Sequence, residues 1–204
     1  MPRDKGPSGA TGASGSGLAR LSYEDPFETP AAERRDDRRL RGRLVAPVTI
    51  WTAHAADGSP AGLTVSSLLV AEGDPALVHG IVDPLSALHE AAGEQGGFLV
   101  HVLEAGDERL ASLFAGAYPV DPFEEVGWRA SPEGPLLEGD RTVVTCRFVE
   151  SRPSGFQSLV QGEITSVHFP GRAAGTGTGT AVGAAGGAPL AWYRGRFRRL
   201  EPEG

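Results

Sequence analysis

Short runs of apolar and β-branched residues, separated by turn residues, recur along most of this chain. Such runs are typical of strands, and their short spacing indicates sheets. The predicted strands are, in chain order, Val48–Ala53, Ala61–Ser67, Ala76–Val82, Phe98–Leu103, Thr142–Glu150, Gln157–His168 and Pro189–Leu200. Phe98–Leu103 is apolar except at His101, which predicts a strand buried on both faces.

Helical patterns are confined to short segments. Ser86–Ala92 is polar and alanine-rich, with Asp83 or Ser86 available as an N-cap. Residues 107–115 place apolar side chains three and four positions apart, which predicts a second helix with one buried face. The arginines between 34 and 43 alternate with acidic residues, which indicates the solvated face of a first helix. The Pro-rich connection Tyr118–Gly139 is long enough to predict a functional loop.

The strand count and the small helical share predict an all-β-dominated fold. We expect an antiparallel barrel of the Greek-key type with two or three short helices. A doubly wound α/β fold needs long helices between parallel strands, and this sequence has none. No GxGxxG motif follows a predicted strand either, because Gly177–Thr180 lies in a low-complexity segment.

Segments of biased composition bound the predicted domain in this chain of 204 residues. Residues 1–33 begin with a stretch rich in Gly, Ser and Ala, and 171–188 consist almost entirely of Gly, Ala and Thr. Such segments bury too little apolar surface to offset their ordering entropy, so we expect them to be flexible. Residues 34–200 are therefore predicted to form one domain, with 201–204 as a short tail.

Charge and cysteine content narrow the functional class. A formal net charge of −7 argues against nucleic-acid binding, which needs a basic surface. The single cysteine, Cys146, lies in an apolar run and is expected in the core. No leader pattern and no apolar run of about 18 residues is found, which predicts a cytoplasmic protein that does not enter a membrane.

The segment Gly62–Ser67 ends a predicted strand with three hydroxyl side chains beside a glycine. Hydroxyls and successive backbone N–H groups in such a loop can bind a phosphate. Alternating Thr and Ser are also common in an ordinary half-exposed strand, and the segment alone does not distinguish the two.

Other candidate chemistry is sparse. The histidines lack metal-ligand spacing, and no Gly-x-Ser-x-Gly nucleophile motif is present. Cys146 has no base close to it in the sequence. The sequence therefore assigns neither a catalytic nor a metal-ligating residue.

The order of these segments resembles the flavin reductase-like family, whose fold is an FMN-binding split β-barrel. The resemblance covers residues 38–200. The segments that carry it are Arg38–Arg43, Pro47–Thr52, Asp57–Gly58, Gly62–Ser67, Phe98–Leu103, Leu110–Ala115, Gly155–Glu163 and Pro189–Arg196.

The resemblance implies a homodimer that binds FMN, or alternatively FAD, and reduces it with NADH or NADPH for a partner monooxygenase. It implies cofactor contacts from seven residues: Thr64, Val65, Ser66, Ser67, Asp83, Ser86 and His101. The hydroxyls would hold the flavin phosphate and ribityl chain, with Ser86 at a helix N-terminus. On the nicotinamide side it implies Gln157, Tyr193 and Arg194.

This chain departs from the family pattern at three places. His101 stands where relatives commonly carry Asn, and Gln157 stands where they often carry the His associated with nicotinamide placement. The loop at Asp83 supplies a carboxylate and no cation, so an arginine from elsewhere, Arg194 or Arg196, would have to compensate. The departures leave two alternatives to a flavin reductase: a flavin-binding protein without turnover, and a dimeric interaction module without flavin.

Overall fold

The computed structural model describes residues 36–171 and 187–200. The helices are α1 (Asp36–Arg41), α2 (Ala87–Gln95), α3 (Glu108–Phe114) and α4 (Pro122–Glu125). The strands are β1 (Ala46–Pro47), β2 (Thr49–His54), β3 (Pro60–Val65), β4 (Leu69–Ala71), β5 (Leu77–Val82), β6 (Gly97–Val102), β7 (Trp128–Ala130), β8 (Pro135–Leu137), β9 (Val143–Ser154), β10 (Gln157–His168), β11 (Leu190–Tyr193) and β12 (Arg196–Arg199). The predicted tails at 1–33 and 201–204, and most of the predicted loop at 171–188, lie outside the described residues.

A seven-stranded sheet in the order β3-β2-β6-β9-β10-β5-β4 forms the body of the fold. Every neighbouring pair in it is antiparallel. The remaining strands form a three-stranded sheet, β1-β11-β12, and the hairpin β7-β8. The predicted strand-dominated, antiparallel split-barrel fold is thereby confirmed.

The strand β4 follows β3 closely and pairs with β5 through its backbone, and one side chain extends this pairing to the end of β3. Ser67, just after β3, accepts a hydrogen bond from the Ile81 N–H at 2.7 Å and donates one to the Ile81 carbonyl at 3.0 Å. The β4–β5 pairing places Leu69 opposite His79, and continuing it by two residues places Ser67 opposite Ile81. There the Ser67 hydroxyl bonds both backbone groups of Ile81, as the backbone of a paired strand residue would. We call this junction of Ser67 and Ile81 the seam.

Apolar side chains pack on both faces of the sheet, as alternation along β2 requires. Trp51 and Ala53 belong to the inner core, whereas Val48 and Ile50 belong to an outer cluster with α3 and β11. In the inner core the rings of Trp51 and Phe98 stack at 4.8 Å between centroids.

Two glycines make room for these rings. A Cβ at Gly80 would lie 2.5 Å from the Trp51 ring, and a Cβ at Gly162 would lie 2.5 Å from that of Phe98. Both positions lie on strands that cross the inner core, so the aromatic pair fixes them as glycine.

Two local predictions need correction, and one strand was missed. Pro189–Leu200 is a hairpin of β11 and β12 and not one strand, and β4 was not predicted. The segment 118–139 is not an irregular loop, because it holds α4, β7 and β8. Asp121 begins α4 by accepting a hydrogen bond from the Phe123 N–H, with Pro122 at the first helical position. Gly62 has a packing role, since a Cβ there would lie 2.6 Å from the Phe114 ring.

Candidate functional site

The residues at the hydroxyl-rich end of β3 each contact a different part of the fold. The Thr64 hydroxyl donates to the Ala111 carbonyl at 2.7 Å and so joins β3 to α3. Val65 is 2% exposed in the inner core, and its carbonyl accepts from the Thr49 hydroxyl. Ser67 closes the seam. Ser66 differs from the others, because its hydroxyl contacts the guanidinium of Arg41 on α1, with Nη2 at 3.4 Å.

The N-terminus of α2 lies just beyond the seam. Ser86 is its N-cap, and its hydroxyl accepts from the His89 N–H while donating to the Asp83 carbonyl at 2.7 Å. The Asp83 carboxylate is exposed and accepts from the Leu85 N–H. The α2 N-terminus carries the positive end of the helix dipole, which favours an anion, while the Asp83 carboxylate opposes one.

Gln157 lies at the same end of the sheet. It is the first residue of β10, and its neighbour Ser158 is opposite Val82, the last residue of β5. We call the five residues gathered here the seam site. They are Ser66, Ser67, Asp83, Ser86 and Gln157. Two apolar side chains nearby in the chain, Leu85 and Phe156, are 92% and 85% exposed.

Tyr193 and Arg194 lie at the turn between β11 and β12. Arg194 has a φ of 53° and Gly195 a φ of 74°, the pair of positive angles of a tight type I′ hairpin turn. The Arg194 guanidinium lies 5.2 Å from the centre of the Tyr193 ring. The Arg194 N–H donates to the Gly42 carbonyl at 2.8 Å, which ties this turn to the end of α1 next to Arg41.

His101 is fully buried and lies on the outer face of the sheet. Its cross-strand neighbour Ile50 is in turn opposite Thr64, so the three side chains share that face. His101 Nε2 is 3.2 Å from the Thr52 hydroxyl, which itself donates to the Pro135 carbonyl of β8. The Thr52 hydroxyl can therefore only accept from His101, which places the ring proton on Nε2 and leaves Nδ1 without a described partner.

Burial, reinforced by the positive charge of Arg141, lowers the pKa of His101 to about 4. The imidazole is neutral at pH 7, and it has no exposed surface from which to touch a ligand. Burial also raises the pKa of the Cys146 thiol to about 12, so the sulfur stays protonated in the core, where the sequence predicted it.

A cleft of about 620 Å³ lies on the same outer face, between β6, β9 and the β7–β8 hairpin. Its lining includes Leu99, Leu137 and Arg141. Arg141 is held by the Asp107 carboxylate at 3.3 Å and the Glu138 carbonyl at 2.7 Å, so its charge is already compensated. The cleft is separate from the seam site.

Comparison with known proteins now gives the identity of the fold. Residues 41–201 match the family model described as the flavin reductase like domain. The chain belongs to the flavin reductase-like domain family.

Several relatives in this family have assigned activities. The reductase component of a 4-nitrophenol 4-monooxygenase/4-nitrocatechol 2-monooxygenase from Rhodococcus opacus is 29% identical over 184 residues, covering 88% of this chain and 89% of that protein. An FMN reductase (NADH) from Agrobacterium fabrum is 28% identical over 146 residues, covering 71% and 82%. The solved structure of an NADH:FAD oxidoreductase from Streptomyces globisporus, in complex with NAD and FAD fragments, superposes with a TM-score of 0.68 at 27% identity, covering 84% of this chain and 95% of that one.

The ten predicted residues of this family member thus fall into separate groups. Five form the seam site. Two, Tyr193 and Arg194, lie at the β11–β12 turn, which is hydrogen-bonded to Gly42 at the end of α1, and α1 in turn contacts Ser66 of the seam site. Thr64 and His101 lie on the covered outer face, and Val65 lies in the inner core. Sequence reasoning missed Arg41, whose contact with Ser66 spans 25 positions and depends on how α1 crosses the end of β3.

No helix among the described residues is long and apolar enough to span a membrane.

Proposed function

We propose that this protein is an NADH-dependent flavin reductase that reduces FMN or FAD and delivers reduced flavin to a partner monooxygenase. The family match over residues 41–201 carries the proposal. Relatives of similar length are named as reductase components of monooxygenases and as FMN reductases that use NADH. Since those names specify NADH, we expect NADH to be a better donor than NADPH.

The seam site fits the phosphate end of a flavin. Ser66 offers a hydroxyl beside the Arg41 guanidinium, and the α2 N-terminus capped by Ser86 favours negative charge. Ser67 would contribute its backbone amide, because its hydroxyl already bonds Ile81. The Asp83 carboxylate would repel a phosphate, and the Arg41 guanidinium and the α2 N-terminus would offset this repulsion.

The remaining predicted residues would orient the reactants. The chemistry would be supplied by bound flavin, which takes up a hydride and its electron pair from NADH and a proton from water. Gln157 and the turn at Tyr193 and Arg194 would position the nicotinamide. Thr64 and His101 would act from behind the sheet by fixing α3 and the β7–β8 hairpin.

A homodimer is part of the proposal. The edge strand β4 exposes Leu69 and Val70, which are 68% and 59% exposed. Exposed edges with apolar side chains are usually covered by another element or another chain. Light scattering after gel filtration should give a mass of about twice the 21.2 kDa chain.

The domain limits and the location are proposals of the same kind. We propose that residues 34–200 are the functional unit, so a variant lacking 1–33 and 201–204 should keep its kcat and KM. We propose the cytoplasm as the location, because NADH is available there.

The direct test is an anaerobic absorption assay with the purified full-length chain. FMN, FAD and riboflavin are each mixed with NADH or NADPH at catalytic protein concentration, and bleaching of the flavin band is followed. A flavin reductase bleaches many equivalents of flavin per protein. Bleaching no faster than in a protein-free control would refute the proposal.

A second candidate is a flavin-binding protein without turnover. Two features favour it: the family resemblance places Gln157 where relatives often carry a nicotinamide-associated His, and His101, which the resemblance implies as a cofactor contact, is 0% exposed. In the same assay this candidate gives a shifted flavin spectrum on mixing and no bleaching with either nicotinamide. If Gln157 is the limiting residue, Gln157→His should then introduce bleaching.

A further inference from the structure

Charge is strongly segregated within the described residues. We define the basic module as residues 36–47 and 187–200, which hold α1 and the sheet β1-β11-β12. The module carries eight arginines and two aspartates, whereas residues 48–171 carry five arginines and seventeen carboxylates. A basic surface on an acidic chain attracts anions to one place.

The basic module meets the seam site through Arg41. Its Nη2 lies 3.4 Å from the Ser66 hydroxyl, and the side chain is otherwise exposed at the end of α1. A phosphate bound at Ser66 would therefore lie within reach of a guanidinium. Guanidinium groups bind phosphate through paired N–H donors with a fixed geometry.

Arg194 supports the same position. Its backbone is bonded to Gly42, the residue after Arg41, and its φ is 53°. That conformation in a two-residue hairpin turn favours Asn, Asp or Gly. The Arg194 guanidinium lies against the Tyr193 ring, on a turn that Gly42 joins to the end of α1, so its charge adds to that of Arg41 at this end of the module.

We propose that Arg41, assisted by Arg194, neutralises the phosphate of the bound flavin and so selects phosphorylated flavins over riboflavin. This assignment rests on the proposed function. The loop at Asp83 carries no cation to bind the phosphate. In this assignment the cation is Arg41, which comes from α1, before the barrel in the chain. The assignment also gives the exposed basic module a ligand of stated chemistry, a phosphomonoester or pyrophosphate at the end of the ribityl chain.

The experiment compares dissociation constants for FMN, FAD and riboflavin in the full-length protein, measured by quenching of flavin fluorescence. The variants are Arg41→Ala and Arg194→Asn, and the control is Arg43→Ala, which removes another exposed charge two residues further along. Arg41→Ala should weaken FMN binding at least tenfold, with riboflavin changed less than threefold. Arg43→Ala should change all three ligands less than threefold.

Salt provides an independent readout, because ion pairs with phosphate weaken as ionic strength rises. FMN affinity of the unmodified protein should fall between 50 mM and 500 mM salt, and this dependence should be smaller in Arg41→Ala. Riboflavin affinity should stay nearly constant in both proteins.

Different failures are distinguishable. Equal losses of FMN and riboflavin affinity in Arg41→Ala would mean that Arg41 maintains the fold, which would overturn the assignment. Unchanged FMN affinity would overturn it too, and would leave the basic module to another partner, such as an acidic protein surface. An unmodified protein that binds no flavin would refute the proposed function and this assignment together.

Discussion

The seam predicts an unusual sensitivity to loss of one hydroxyl, in the variant Ser67→Ala. In an antiparallel sheet the N–H and C=O of one residue point to the same neighbour. Both groups of Ile81 point to the Ser67 hydroxyl, so β10 on the other side cannot replace it. Leaving partly buried polar groups unpaired costs about 1–3 kcal/mol. Because Ser67 is half-buried and water can reach the seam, we expect about 2 kcal/mol.

The assay is urea unfolding followed by circular dichroism, with hydrogen exchange at the Ile81 amide as the local readout. The matched control is Ser66→Ala, which removes the neighbouring hydroxyl and only its 3.4 Å contact with Arg41. We expect the control to lose less than about 0.5 kcal/mol and to keep Ile81 protected. Equal stability of the two variants, with Ile81 protected in both, would show that the barrel does not depend on the seam.

Three further variants test the core, the buried histidine and the strained turn. Gly162→Ala should lower the free energy of unfolding in urea by about 1–3 kcal/mol, because the new Cβ meets the Phe98 ring. Its control is Gly93→Ala in α2, where the nearest atom to the new Cβ is 3.9 Å away, and this variant should be more stable by about 0.5–1 kcal/mol. His101 has a pKa of about 4 in the folded protein against 6.5 in the unfolded chain, so the unfolded chain takes up a proton first as the pH falls. The free energy of unfolding should therefore be unaffected by His101 above pH 6.5 and fall by about 3 kcal/mol as the pH drops to 4. Between pH 7 and pH 5 the free energy of unfolding of the unmodified protein should fall by about 2 kcal/mol from this cause, and a fall of the same size in His101→Asn would contradict it. Arg194→Asn should raise the melting temperature, since Asn tolerates a positive φ and removes about 1 kcal/mol of backbone strain, and it should weaken FMN binding. A lower melting temperature would show that the Arg194 backbone is not strained.

Periodicity predicted the strands of the barrel well. The limits of β10 agree with the predicted run from Gln157 to His168, and β6 differs from its prediction by one residue at each end. Alternation and burial follow directly from the side chains, so they can be read locally. The strand β4 was missed, because its three residues are all exposed and are held only by pairing with β5.

The site was harder to predict, because its contacts join distant parts of the chain. The hydroxyls of Thr64, Ser66 and Ser67 look equivalent in the sequence, yet they bond a helix, an arginine and a neighbouring strand. Alternation predicts one face for Thr64 and Ser66 and the other for Ser67, but not which partner each hydroxyl would meet. The arginines of α1 looked like an ordinary solvated face for the same reason, since only the tertiary fold brings Arg41 to Ser66.

The position of the seam next to the seam site links stability to binding. Ser67 bonds Ile81 where β3 ends, and Ser66, one residue earlier, faces the basic module. A ligand held by the backbone of these two residues would also restrain the hydroxyl that joins β3 to β5. Ligand binding to the folded state alone stabilises it by mass action, by about 2.7 kcal/mol at a hundredfold excess over Kd. A flavin nucleotide bound at the proposed site would therefore reinforce the junction that Ser67 makes with Ile81, next to the backbone pairing of β4 with β5.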